Sequence, residues 1–247
     1  MSLVISHRGA NKLAPENTLP AFELSLSLGV DGFENDVHMT RDGVIVVCHD
    51  DTVDRTSNGH GAIESLTFDE LRALDFGAWF DPKFAGTTIP TLEEFFALCG
   101  SLKVVNVEIK RALDGSTPIA AGVIRMAKRF GLFGKLIISS FDLDMLAACT
   151  REDADTCTAL LYDPRNPLCE EIHDDLGAFA KKHNLKAYHP MIAFLSRDYI
   201  EEAHEAGIIV NPWTVNQPHQ MQFLRDWGCD GVITDQPELA LQIMQEG

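Results

Sequence analysis

Leu3-Val4-Ile5-Ser6, a helical stretch over 17–28, and Gly32-Phe33-Glu34-Asn35-Asp36-Val37 stand in that order near the start of the chain. The outer two pieces are short and rich in β-branched or aromatic residues, as strands are. The middle piece spaces Leu19, Phe22 and Leu26 helically. It carries Pro20 in its first turn, where a missing N–H costs nothing, and Gly29 just past its end, where a left-handed cap is needed. Strand, helix, strand builds a parallel pair, because the helix returns the chain to the same edge. The unit recurs. Further strands are expected at 44–48, 104–109, 136–140, 156–161, 186–188, 208–212 and 231–234, and helices at 119–130, 143–148, 170–183, 197–206, 219–227 and 237–244. Roughly eight units suit a closed barrel, whose usual size is about 250 residues, better than an open doubly wound sheet. The expected fold is α/β, a (β/α)8 TIM barrel spanning 1–247 as one catalytic-sized domain.

One segment breaks the alternation. From 51 to 100 there is no convincing strand, but two helix starts with capping boxes, Thr67-Phe68-Asp69-Glu70 and Thr91-Leu92-Glu93-Glu94. This is read as a small, mainly helical insertion after the second barrel strand. It also holds Trp79, Phe80 and Phe84 with the turn signals Ser57-Asn58-Gly59 and Asp81-Pro82.

Charge narrows the function. Lys and Arg number 20 against 37 Asp and Glu, a formal charge of −17, which repels nucleic acid and anionic lipid. No apolar run approaches the roughly 20 residues that span a bilayer, and His7-Arg8 brings charge too early for a signal-peptide core. The expectation is a cytoplasmic protein with no stable membrane anchor. Cys48, Cys99, Cys149, Cys157, Cys169 and Cys229 have no metal-type or Cys-x-x-Cys spacing and are read as core or surface thiols.

Barrel enzymes carry their reacting groups at the C-terminal ends of the strands. Those ends hold His7-Arg8, Glu34 and Asp36, His49-Asp50, Glu108 and Lys110, Ser140, Trp213 and Asp235. Glu34 and Asp36 are two apart on a strand and leave it on one face, as do Glu108 and Lys110. Three carboxylates packed together repel one another unless a cation joins them, and oxygen-only ligation points to Mg²⁺ or Ca²⁺. His7 and His49 directly follow apolar strands and are placed to move protons. Each is followed by a charged residue, Arg8 or Asp50, able to bind an anion or orient a ring. Arg8 and Lys110 supply local positive charge in an acidic protein, which suits a phosphate.

His7-Arg8-Gly9-Ala10, Pro15-Glu16-Asn17-Thr18, Glu34-Asn35-Asp36-Val37, Asp42-Gly43-Val44 running to His49-Asp50, and Arg55-Thr56-Ser57 stand in this order. Glu108-Ile109-Lys110, Trp213-Thr214-Val215-Asn216 and Gly231-Val232-Ile233-Thr234-Asp235-Gln236-Pro237 follow. Over nearly its whole length the chain resembles the glycerophosphodiester phosphodiesterase family. The excursion over 51–100 resembles that family's inserted helical domain. The resemblance implies one divalent cation on Glu34, Asp36 and Glu108, and a catalytic acid–base pair in His7 and His49, with His7 preferred as base. It places Arg8 and Lys110 near the phosphate, Glu16 and Asn17 beside the site and Trp213 in the substrate pocket. Glu16 has an alternative as an acidic residue at a helix start. The implied reaction releases sn-glycerol 3-phosphate and an alcohol from a small glycerophosphodiester, by attack of water or of the glycerol 2-hydroxyl. Tyr188-His189-Pro190, Phe80 and Phe84 are read first as core and second as a leaving-group wall. An enolate-forming barrel with Lys110 as base fits less well, because two carboxylates share one strand and two histidines flank them. A catalytically dead relative would have lost one of these groups, and none is missing.

Overall fold

The computed structural model describes residues 2–163, 165 and 167–245, without the side chains of Cys169, Phe194 and Gln245. Strands β1 (Leu3–His7) and β2 (Gly32–Met39) run parallel, and β3 (Ile45–Val47) turns back antiparallel on β2. Next come β4 (Val104–Ile109), β5 (Leu136–Ser140), β6 (Cys157–Tyr162), β7 (Ala187–Pro190), β8 (Ile209–Val210) and β9 (Gly231–Thr234). The sheet order is β8-β7-β6-β5-β4-β2-β1-β9, every neighbour parallel, with β3 outside the wall. Its ends meet where Ile233 N donates to Pro212 O at 3.0 Å and Val215 N to Ile233 O at 2.9 Å. The result is a (β/α)8 TIM barrel, nearly closed.

The helices are α1 (Leu19–Leu28), α2 (Phe68–Arg72), α3 (Leu92–Leu98), α4 (Pro118–Arg129) and α5 (Leu143–Glu152). They continue with α6 (Cys169–Asp174), α7 (Leu176–His183), α8 (Arg197–Glu205), α9 (Pro218–Asp226) and α10 (Pro237–Gln245). Gly29 caps α1 at φ 82°, and both Thr-led capping boxes form on α2 and α3. The single helix expected over 170–183 is two. Asp175 leaves helical geometry at φ −159° and its carboxylate accepts from Ala178 N, so a new N-cap interrupts the apolar pattern without erasing it.

Between β3 and β4 the chain packs two ways. Val46, Cys48, Val53, Ile63, Leu71, Phe76 and Ile89 form a separate cluster. In contrast, α3 joins the main core, filling the crossover between β2 and β4. Phe95 meets Phe22 edge-on at 4.7 Å and Phe33 at a tilt at 6.0 Å. Phe95→Ala is therefore expected to cost about 3–5 kcal/mol in denaturant unfolding, since helix and wall both lose a packed ring. A cost under about 1 kcal/mol would mean the site collapses freely.

Strand pleating sorts the interior. Ile5, Val104, Ile137, Ala159, Ala187 and Ile233 form the apolar floor, and the same faces two residues further on carry His7, Asn106, Ser139, Leu161, His189 and Asp235. A Cβ at Gly32 would lie 2.3 Å from Val104 Cγ1, so β2 approaches β4 through a glycine below its carboxylates. The thiols of Cys48, Cys99, Cys149 and Cys229 are buried and free, and Cys157 is partly buried. The side chain of Cys169 lies outside the described residues.

Candidate active site

At the end of β1 the chain turns sharply, with Arg8 at φ 57° and Gly9 at φ 78°. A Cβ on Gly9 would come within 2.7 Å of the Ala21 carbonyl carbon, so α1 can seat against this turn only at a glycine. Arg8 has no such excuse, and its uncommon backbone conformation marks a functional constraint. Its N–H donates to Glu34 O at 3.0 Å and Oε2 at 3.2 Å. Its side chain reaches Asp36 Oδ2 at 3.2 Å and Glu16 Oε1 at 3.0 Å.

Glu34 and Asp36 on β2 and Glu108 on β4 are all buried, each offering an oxygen within 4.8 Å of the others. Parallel pairing sets Asp36 beside Glu108, which is why strands far apart in sequence deliver them together. Burial first, then the charges of Asp36 and Glu108, push Glu34 well above the usual carboxylate range. Glu108 is pushed up to about 7 by burial and by Asp36, in spite of Lys110. Burial acts the same way on Asp36, but Lys110 at 2.7 Å and Arg8 overcome it and hold that group ionised. Arg8 and Lys110 both reach Asp36, and Lys110 also reaches Glu108, so two cations are shared among three carboxylates. The unmet negative charge and the oxygen donors fit a hard divalent cation, whose ligands at about 2.0–2.6 Å stand no more than about 5 Å apart.

Both histidines are aimed by carboxylates. His7 Nδ1 donates to Asp235 Oδ1 at 2.6 Å, which leaves Nε2 toward the mouth, 3.9 Å from Glu34 Oε2. Asp235 also accepts from Asn11 at 2.6 Å and Asn216 at 2.8 Å. Burial raises the Asp235 carboxyl, yet hydrogen bonds from His7, Asn11 and Asn216 take it far below its ordinary value. His49 follows β3, whose continuation is held by Cys48 N donating to Asp36 O at 3.0 Å. Its Nδ1 donates to Asp50 Oδ1 at 2.7 Å. Burial, with Lys110 and Arg8 adding, lowers the His49 pKa although Asp36 and Asp50 oppose them.

Around one cavity of about 230 Å³ stand His7, Arg8, Glu34, His49, Glu108, Lys110 and Trp213. Trp213 is held by Nε1 donating to His189 O at 2.6 Å and stands edge-on to Phe141 at 5.6 Å. Glu16 and Asn17 are not on this wall. Asn17, at φ 56°, donates to Asp36 Oδ2 at 2.8 Å, and Glu16 pairs with Arg8 and Arg55 instead of capping α1. Tyr188, His189, Phe80 and Phe84 are also absent from it. Tyr188 is buried with its hydroxyl donating to Leu176 O, and burial drops His189 to about 3. Sequence reasoning gave no role to Asn106, on the wall between the metal-type carboxylates, or to Arg165, which reaches the rim and pairs with Asp163. Nor did it pair Asp235 with His7, although closing an eight-stranded barrel sets the last strand against the first.

Acidic oxygens, two cations and two aimed imidazoles in the C-terminal mouth fit a barrel enzyme that cleaves an anionic ester. A family model for the glycerophosphoryl diester phosphodiesterase family matches residues 7–239. A glycerophosphodiester phosphodiesterase of Caldanaerobacter subterraneus subsp. tengcongensis is 37% identical over 247 residues, covering 100% of this chain and 99% of the relative. The crystal structure of a glycerophosphodiester phosphodiesterase from Agrobacterium tumefaciens superposes with a TM-score of 0.86 at 27% identity, covering 98% of this chain and 100% of that one. A phosphodiesterase from Oleispira antarctica, solved with its product sn-glycerol-3-phosphate, gives 0.88 at 26% identity, covering 100% and 98%. The chain belongs to the glycerophosphoryl diester phosphodiesterase family and is an enzyme of that activity. Among the described residues no helix is long and apolar enough to cross a membrane.

Proposed function

We propose that the chain hydrolyses small glycerophosphodiesters, such as glycerophosphocholine and glycerophosphoethanolamine, to sn-glycerol 3-phosphate and the free alcohol in the cytoplasm. Glu34, Asp36 and Glu108 hold one divalent cation, Mg²⁺ or Ca²⁺. His7 and His49 form the acid–base pair, Arg8 and Lys110 meet the phosphate, and Trp213 lines the substrate pocket. Glu16 and Asn17 serve the substrate indirectly, through Arg8 and Asp36. Residues 51–100 are taken as a small inserted subdomain that brings Arg55 to the mouth. The single observation carrying this reading is that two carboxylate-aimed imidazoles border one cavity with Glu34 and Glu108, whose oxygens lie within 4.8 Å of those of Asp36 buried behind them. The product held by the Oleispira relative supports the same bond as the one cleaved.

When bound, the cation supplies Lewis acidity toward a phosphoryl oxygen. The chain's own groups do the rest. Arg8 offers a guanidinium fork and Lys110 an ammonium, both beside the cavity, to the non-bridging oxygens as charge builds on them. His7, with Nδ1–H fixed by Asp235, has Nε2 free to take the proton of water or of the glycerol 2-hydroxyl. His49 gives its Nε2 proton to the departing alkoxide. Burial, Lys110 and Arg8 make its imidazolium a strong donor but a minority form at neutral pH, until the phosphate's charge opposes the two cations.

The test is release of glycerol 3-phosphate from a panel of glycerophosphodiesters with Mg²⁺, Ca²⁺ or chelator. Release dependent on either cation is expected; no release from any member with either would overturn the substrate class. Asp235→Asn keeps the size of the group that aims His7 but lets an amide N–H face Nδ1, favouring the wrong tautomer. Its kcat is expected to fall about 10- to 100-fold, as losing an orienting carboxylate does elsewhere. An unchanged kcat would show that His7 needs no such partner.

A further inference from the structure

We propose that Arg55 is a positioning residue that aims His49 and Arg8 together, an inference that rests on the function proposed above. Arg55 lies in the excursion after β3 and is not on the cavity wall. Its guanidinium nevertheless makes two double contacts. Nε and Nη2 donate to Asp50 at 2.7 and 3.0 Å, and Nη1 and Nη2 donate to Glu16 at 2.9 and 2.8 Å. Each of those carboxylates holds a residue of the site: Asp50 accepts from His49 Nδ1 at 2.7 Å, and Glu16 from Arg8 Nη1 at 3.0 Å. One planar fork thereby ties the segment after β3 to the connection between β1 and α1.

An exposed ion pair is ordinarily worth little, about 0–1 kcal/mol, and the Arg55 side chain is 45% exposed. What separates this one is geometry. Glu16 is only 15% exposed, both contacts are bidentate, and the five donors of a guanidinium are what lets one cation make two bidentate contacts at once. A lysine ammonium, a point charge with three donors, cannot supply the four hydrogen bonds that two bidentate contacts need. Without Arg55, Asp50 and Glu16 are free to turn toward water, and each then ceases to fix its partner. The expected consequence is on two kinetic constants, because His49 acts on bond cleavage and Arg8 on the bound phosphate.

The experiment measures kcat and KM on a glycerophosphodiester for wild type, Arg55→Ala, Arg55→Lys, Asp50→Asn, the Arg55→Ala/Asp50→Asn double variant and His49→Ala, with the melting temperature of each. Arg55→Ala is expected to lose about 10- to 100-fold in kcat/KM through both constants, since sub-ångström misplacement of reacting groups costs that much. Arg55→Lys should recover only part of the loss at a wild-type melting temperature. The double variant should have a kcat no lower than the worse single variant, because both changes break one chain of contacts. Arg55→Ala within about twofold of wild type while His49→Ala is dead would overturn this inference alone. Additive losses in kcat would do so too, and so would full rescue by Lys, which would reduce the role to charge. A wild-type rate in His49→Ala would overturn the proposed mechanism and this inference with it.

Discussion

Glu108→Ala is expected to lose turnover of glycerophosphocholine by about 10³-fold or more, because on the proposed mechanism several kcal/mol of charge stabilisation depend on an ion that Glu108 helps to hold. The side chain stands at the end of β4 beside Asp36 and Lys110. Removing it leaves Glu34 and Asp36, which are too few ligands for a hard cation, while Lys110 keeps its partner in Asp36. The barrel floor lies below and is untouched, so the melting temperature should change little. Calorimetric titration with Mg²⁺ and with Ca²⁺ should show binding to wild type and none to the variant. Chelation of wild type should produce the same loss, restored by excess cation. Full activity of Glu108→Ala would sink the metal assignment.

His49→Ala should behave in the opposite way toward the ion. Its ring is held by Asp50 and is no part of the carboxylate trio, so cation binding should persist. The kcat should nevertheless fall by about 10² to 10⁴, the usual worth of a positioned proton donor. A leaving group that needs no proton, such as a nitrophenolate, should recover much of that loss if His49 is the acid. A wild-type kcat on the choline ester would remove His49 from the mechanism. Recovery absent on the activated ester would exchange the roles of the two histidines.

The barrel was legible because its units are local. A strand of β-branched residues, a capped helix and a second strand are each written in adjacent positions, and β1, α1 and β2 lie where those signals put them. The carboxylate trio was legible for the same reason: Glu34 and Asp36 share one pleat face, and Glu108 ends another strand. Where local pattern carried two messages it misled. The apolar spacing over 170–183 continues across Asp175, whose cap divides the helix. The strand expected over 208–212 is regular only at Ile209–Val210, although Asn211 N and Trp213 N go on donating to Tyr188 O and Pro190 O beyond it. What could not be read was pairing at a distance. Asp235 and His7 are 228 positions apart, and Arg55 and Glu16 are 39 apart. Only the closed wall and the path of the excursion make them neighbours.

The His7–Asp235 contact joins the first strand of the barrel wall to the last. On a ribosome β1 emerges with its imidazole first, and the carboxylate that aims it comes 228 positions later, on the residue that follows β9. Until that final strand docks against the first, the ring has nothing to fix its tautomer, whatever else has folded. On the mechanism proposed above, competence to cut an ester therefore waits for the last strand of the wall, and a barrel that lacks it is also an unarmed one.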